Sequence, residues 1–196
     1  LPFFDDKQID TRELRKKYTE EVYGDKVIWY WMNDVFSTDI DLTKDIYFIT
    51  STEIDGAGEN LPDDALLLIE ESLKKLLKLC IHLTNSGIEE LVIVADHGFV
   101  LNESFINGNK ADKPTGDWSL SKIRCLAGKG DRSDATITLT PDELGVKANV
   151  DAFHFLKQFA TFRSGAKYFH EGISLQELVT PYISLRKSKA KDTNPI

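Results

Sequence analysis

Apolar and polar positions along this chain follow two rhythms. From Asp10 to Tyr23 charged residues are interrupted by Leu14, Tyr18 and Val22, four apart. That spacing predicts an amphipathic helix stopped at Gly24. "KVIWYWMND" and "DIYFITSTEID" are β-branched and aromatic, so each reads as a strand buried on both faces. The second ends in polar residues at Glu53 and Asp55, and "GAGENLP" reads as a loop because two glycines and a proline break regular structure. Between about Pro62 and Thr84, Leu66, Ile69, Leu73, Leu76, Leu77 and Cys80 recur at helical spacing, with acids at the start and lysines toward the end.

"EELVIVAD" is the next strand, too apolar for a surface. The segment 102–117 turns polar and glycine-rich, which predicts a loop or lid excursion. "DATITLTPDEL" alternates as a strand, and 150–162 fits helix or strand equally. "AKYFH" is a short strand. "SLQELV" reads as a helical turn with a capping box of Ser174 and Glu177, and "PYISLRK" as a last strand. Strand, helix, strand in the middle of the chain predicts an α/β fold with a mixed, mostly parallel sheet flanked by helices.

In such sheets reactive groups gather beyond the carboxyl ends of the strands. Asp55 with Glu59, Asp96 with His97, and His170 all stand just after a predicted strand, each with glycine close by. Taken singly, each has a plain reading: a solvated acidic loop, a turn-capping Asp beside a hydrogen-bonded His, a structural His. Together they form a set of carboxylate and imidazole donors suited to two divalent cations. His82 and His154 lie in apolar segments and read as structural.

Composition narrows the classes. The 196 residues carry a formal charge of −8, which disfavours nonspecific nucleic-acid binding. The basic cluster Arg186, Lys187, Lys189 and Lys191 reads as a solvated tail. Cys80 and Cys125 form no disulfide framework, which suits a reducing, cytoplasmic setting. No apolar run is long enough for a bilayer. The opening Leu-Pro-Phe-Phe, without an initiator Met, suggests a piece of a longer chain.

"EIDGAGEN", a long amphipathic helix, "VADHGF" and "YFHEGISLQELVTPYISL" occur in an order that resembles the PglZ domain, a branch of the alkaline phosphatase superfamily. The resemblance covers roughly Tyr47 to Leu185. The family's common His-Gly-Gly stands here as His170-Glu171-Gly172. The resemblance implies an alkaline-phosphatase-like fold, of which this single domain would be an incomplete, C-terminal portion. It implies metal-dependent hydrolysis of phosphodiesters or phosphomonoesters. Asp55, Glu59 and His170 would hold one cation, and Asp96 with His97 the second. Zinc is the foremost candidate; the Glu59 oxygen, where the superfamily usually has His, moves preference toward manganese or magnesium.

The superfamily's Thr or Ser nucleophile is expected upstream and is not found. Asp34 and Thr38 have the right order but stand too close together. Lys110, Lys113 and Arg163 are candidates to neutralise substrate phosphate. PglZ modules occur in bacterial phage-defence systems and joined to response-regulator domains. A noncatalytic interaction module in such an assembly is therefore the alternative reading, and a homodimer through the strand at 26–34 a further expectation.

Overall fold

The computed structural model describes residues 3–102 and 110–187. The first half runs β1 (Phe3–Phe4), β2 (Lys7–Gln8), α1 (Arg12–Tyr23), a 3-10 turn (Gly24–Lys26), β3 (Val27–Trp31), α2 (Met32–Val35) and β4 (Ile46–Thr50). Next come α3 (Glu53–Asn60), α4 (Ala65–Asn85), β5 (Glu90–Val94) and β6 (Val100–Leu101). The rest is β7 (Gly116–Ser121), β8 (Cys125–Gly130), β9 (Thr136–Leu139), β10 (Ala152–Leu156), β11 (Tyr168–Phe169), α5 (Leu175–Leu178) and β12 (Tyr182–Arg186). The chain divides into two compact units, 1–54 with 69–91 and 186–196, and 55–68 with 92–185.

In the first unit, α1 starts where the Thr11 hydroxyl accepts from the Leu14 N–H at 3.2 Å. It stops at Gly24, whose φ of 64° suits a residue without a side chain. The strands β3 and β4 run parallel, with Trp29 opposite Phe48 and their rings stacked at 4.5 Å. Neither strand is fully buried, contrary to expectation. Within β3 only Val27 is buried, and Trp31 is exposed, because this is a two-stranded sheet whose outer faces are only partly covered. The core is Met32, Val35, Leu79 and Leu83, with Ile49, Leu76 and Leu91 packed against it.

The second unit is organised by an antiparallel sheet of order β7-β8-β10-β9. Leu126, Leu156 and Phe162 form its core. His154 is buried there, bonded to Thr138 Oγ1 at 3.0 Å and edge-on to Trp118, which is the structural role read for it. The pairs β11–β6 and β1–β2 are also antiparallel. The fold is mixed α/β, but the expected mostly parallel sheet is not what the described strands form. The reason is connection length. β7 and β8 are joined by residues 122–124 alone, and a parallel pair needs a crossover of a dozen residues or more.

Two further expectations are corrected. "EIDGAGEN" is the helix α3 rather than a glycine loop. And β5, read as too apolar for a surface, has exposed residues: Val92 and Val94 are 49% and 63% exposed. It pairs with β12, where Tyr182, Ile183 and Leu185 are exposed as well. Along α4, Ala65, Ile69, Leu79, Cys80 and Leu83 are buried, while Leu66, Leu73 and Leu77 are exposed, so apolar side chains occupy more than one face. Of the segment 102–117, read as a lid, residues 103–109 lie outside the described residues; its last two, Gly116 and Asp117, begin β7. Among the described residues no helix is long and apolar enough to cross a membrane.

Candidate metal centre

All five predicted donors lie in the second unit. Asp55 and Glu59 are four apart on α3, a spacing that places them on one helical face. Asp96 and His97 follow β5, and His170 follows β11. The antiparallel register Tyr168↔Leu101 and Phe169↔Val100 brings the residues that follow β11 beside those that precede β6, and so His170 beside His97. The two imidazoles stack with ring centroids 4.0 Å apart and planes within 5°.

Each imidazole faces a carboxylate. His97 Nε2 is 3.6 Å from Asp55 Oδ2 and 3.7 Å from Asp96 Oδ1. His170 Nε2 is 3.6 Å from Glu59 Oε1. These separations are too long for hydrogen bonds. They are near the spacing of two donors on one tetrahedral ion, roughly 3.3–3.6 Å for bonds of about 2.0–2.2 Å. The other nitrogen of His97 decides its tautomer. Nδ1 is 3.0 Å from the Gly98 carbonyl oxygen, which can only accept, so Nδ1 carries the proton and donates. In a neutral ring Nε2 then presents a lone pair to two carboxylates, three acceptors that a cation or a bridging proton donor between them would satisfy.

The pairing cuts across the division implied by resemblance, since Asp55 faces His97 rather than His170. Among the described residues no three His, Cys, Asp or Glu side chains close on one point as a ready cage. The donor chemistry nonetheless fits a divalent cation. Asp96 and Glu59 are 71% and 60% exposed, with room to turn toward one, although Asp96 Oδ1 accepts from the His97 backbone N–H at 3.2 Å.

Three supports were not legible in the sequence. The Tyr168 hydroxyl donates to Asp55 Oδ1 at 2.5 Å. Burial first, and then this bond and the surrounding carboxylates, raise the phenol well above its ordinary pKa, so it remains a donor. Secondly, Gly98 donates its N–H to the Glu177 carbonyl at 2.9 Å. A Cβ at Gly98 would strike the Gln176 and Val179 carbonyls, so only glycine lets the chain turn there.

The third support is a fully buried ion pair below the His170 loop, Arg124 Nε to Glu177 Oε1 at 2.9 Å. The Nε–H is not aligned for a hydrogen bond, but Nη1 and Nη2 donate to Ala160 and Gln158 carbonyls at 2.6 and 2.7 Å. Glu177 accepts from Gly172 N–H, Ser174 N–H and the Ser174 hydroxyl at 2.8, 3.1 and 2.7 Å. The predicted capping box is thus present, with an arginine added. A Cβ at Gly172 would meet this pair. Of the cations considered for substrate phosphate, Lys113 donates to Ser121 Oγ at 2.7 Å and Lys110 is 4.0 Å from Asp112.

Residues 5–185 match the family described as the BREX system PglZ alkaline phosphatase-like domain. The chain belongs to this PglZ family. It is similar to the alkaline phosphatase-like protein PglZ of Bacillus cereus (strain H3081.97), 27% identical over 168 residues. That alignment covers 82% of this chain and 19% of the relative, so the chain spans about a fifth of the relative's length. The PglZ match takes in every donor described above, from Asp55 to His170.

Proposed function

We propose that this PglZ domain is part of a divalent-metal-dependent phosphoesterase, and that Asp55, Glu59, Asp96, His97 and His170 hold the metal. One observation carries the reading: His97 is oriented through Nδ1 so that Nε2 faces two carboxylates without a hydrogen bond to either. The buried His154, by contrast, has its Nδ1 bonded to the Thr138 hydroxyl within a core. Bound there, a divalent cation would neutralise charge on the attacking and leaving oxygens of a phosphoester. Zinc suits the two imidazoles, and manganese or magnesium the three carboxylates.

The chain's own part is to position. Tyr168 and Gly98 fix the first donors, and the Arg124–Glu177 pair fixes the loop after His170. The nucleophile, a Thr or Ser, is proposed to come from upstream of Asp55 in the parent protein, making this the C-terminal part of the catalytic domain. The exposed apolar residues of β5 and β12 support that reading, since such strands are normally covered. In this proposal the parent acts in the bacterial cytoplasm, within a phage-defence or signalling assembly. The same exposed strands also favour the second reading, a PglZ-fold module that binds other components, or a second copy of itself, without catalysis.

Metal content tests the ligand set, and activity separates the two readings. His97→Ala and His170→Ala should each lower bound zinc or manganese after dialysis, measured by plasma emission. Unchanged stoichiometry in both variants removes the ligand assignment. With the parent chain, hydrolysis of a chromogenic phosphodiester that depends on His97 supports the enzyme, and inactivity with metal bound supports the module.

A further inference from the structure

The contact that binds the helix of Asp55 and Glu59 to the strand preceding His170 is made by Tyr168, which is not among the proposed ligands. Tyr168 lies two residues before His170 and is buried. Its hydroxyl reaches Asp55 Oδ1 across a sequence separation of 113 residues. The ring is held by two neighbours. Phe99 lies 5.2 Å away, centroid to centroid, and the ring presses against Gly58 so closely that a Cβ there would overlap it.

Gly58 is buried within α3. Glycine inside a helix costs about 0.5–1 kcal/mol relative to alanine, so its presence here answers a need for space. The space is filled by the Tyr168 ring. Asp55 then has its two oxygens divided between tasks: Oδ1 accepts from the phenol, and Oδ2 is left facing His97 Nε2 at 3.6 Å.

We infer that Tyr168 is a positioning residue for Asp55, seated by Gly58, and that it sets the affinity of the centre for its divalent cation. This rests on the metal-centre reading above. Ligand carboxylates elsewhere depend on such outer hydrogen bonds, whose loss costs about 10–100-fold in metal affinity. Without the phenol, Asp55 can rotate and offer either oxygen, both or neither. Tyr168 touches no reacting atom in this scheme, so its effect is on affinity and ligand-field geometry.

The test is titration of the chain with Co(II) and Zn(II), in the wild type, in Tyr168→Phe and in Gly58→Ala. Affinity is read by competition with a chromophoric chelator, and coordination by the Co(II) visible spectrum. Thermal melting of each metal-free protein reports folding separately. Tyr168→Phe should keep a cooperative melt, lose about 10–100-fold in affinity and shift the Co(II) bands. Gly58→Ala, which keeps the phenol but displaces its ring, should weaken binding in the same direction. Wild-type affinity and spectrum in a folded Tyr168→Phe protein overturn the inference and leave the metal centre standing. Should Tyr168→Phe not fold, wild-type binding by Gly58→Ala overturns it instead. Absence of binding by the wild type overturns the metal centre and this inference together.

Discussion

Removing the Glu177 carboxylate should be the most damaging single change near the site that touches no proposed ligand. In Glu177→Ala the Arg124 guanidinium stays where it is, with 1% of its side chain exposed, and loses its counter-ion. Three donors lose their acceptor as well: Gly172 N–H, Ser174 N–H and the Ser174 hydroxyl. Breaking one partner of a buried pair costs about 3–5 kcal/mol. Part of the donors' cost is recovered if water enters the vacated space, so the lower half of that range is expected. With a urea dependence of about 2 kcal/mol per molar, the midpoint should fall by roughly 1.5–2 M, read by circular dichroism. The double variant Arg124→Met/Glu177→Leu should recover part of the loss, because no charge is then left buried. Recovery should be incomplete, since the Ala160 and Gln158 carbonyls lose their donor. A single variant that costs less than about 1 kcal/mol, or a double variant no better than the single one, would refute the reasoning.

Two other outcomes follow from individual positions. Gly56→Ala should stabilise the protein by about 0.5–1 kcal/mol in the same urea experiment, because a Cβ there meets nothing within 4 Å; destabilisation would mean α3 is not the helix described. Burial, and then the charge of Glu171, push the Cys125 thiol from 9.0 up to about 11. The unfolded chain therefore releases this proton first, and stability fully present below pH about 9 should decline as pH rises to about 11, by roughly 2–3 kcal/mol. Cys125→Ala should flatten that decline, and an identical slope in both proteins would exclude the thiol as its source.

What the sequence made legible was local. The α1 boundaries, the capping box at Ser174 and Glu177, and the strands at 27–31, 46–50 and 182–186 each rest on signals a few residues apart. The residues proposed as donors could also be named from the sequence, since their type and place after strands can be read directly. Misreadings came where a local signal was answered by a distant residue. Two glycines in "EIDGAGEN" argue for a loop until Tyr168 is known to fill the space beside Gly58. The apolar run at 91–94 argues for burial, but burial depends on what lies over the strand. Tyr168, Arg124 and the need for glycine at 98 were hidden for the same reason, because each partner is remote in sequence.

That division bears on how a site such as this one is recognised. Two histidines and three carboxylates are ordinary surface chemistry, and each has a plain role when taken alone. What sets these five apart is the constraint placed on several of them. His97 is oriented by the Gly98 carbonyl, Gly98 is held by Glu177, and Asp55 is held by Tyr168, which is seated on Gly58. His170 is stacked on His97. A surface cluster without function has no need of this: exposed charged pairs contribute at most about 1 kcal/mol, too little to offset glycines in a helix and a tight turn together with a buried tyrosine on a carboxylate. Ordering donors before a ligand arrives lowers the cost of binding it, and that is the physical argument for a bound cation at this place.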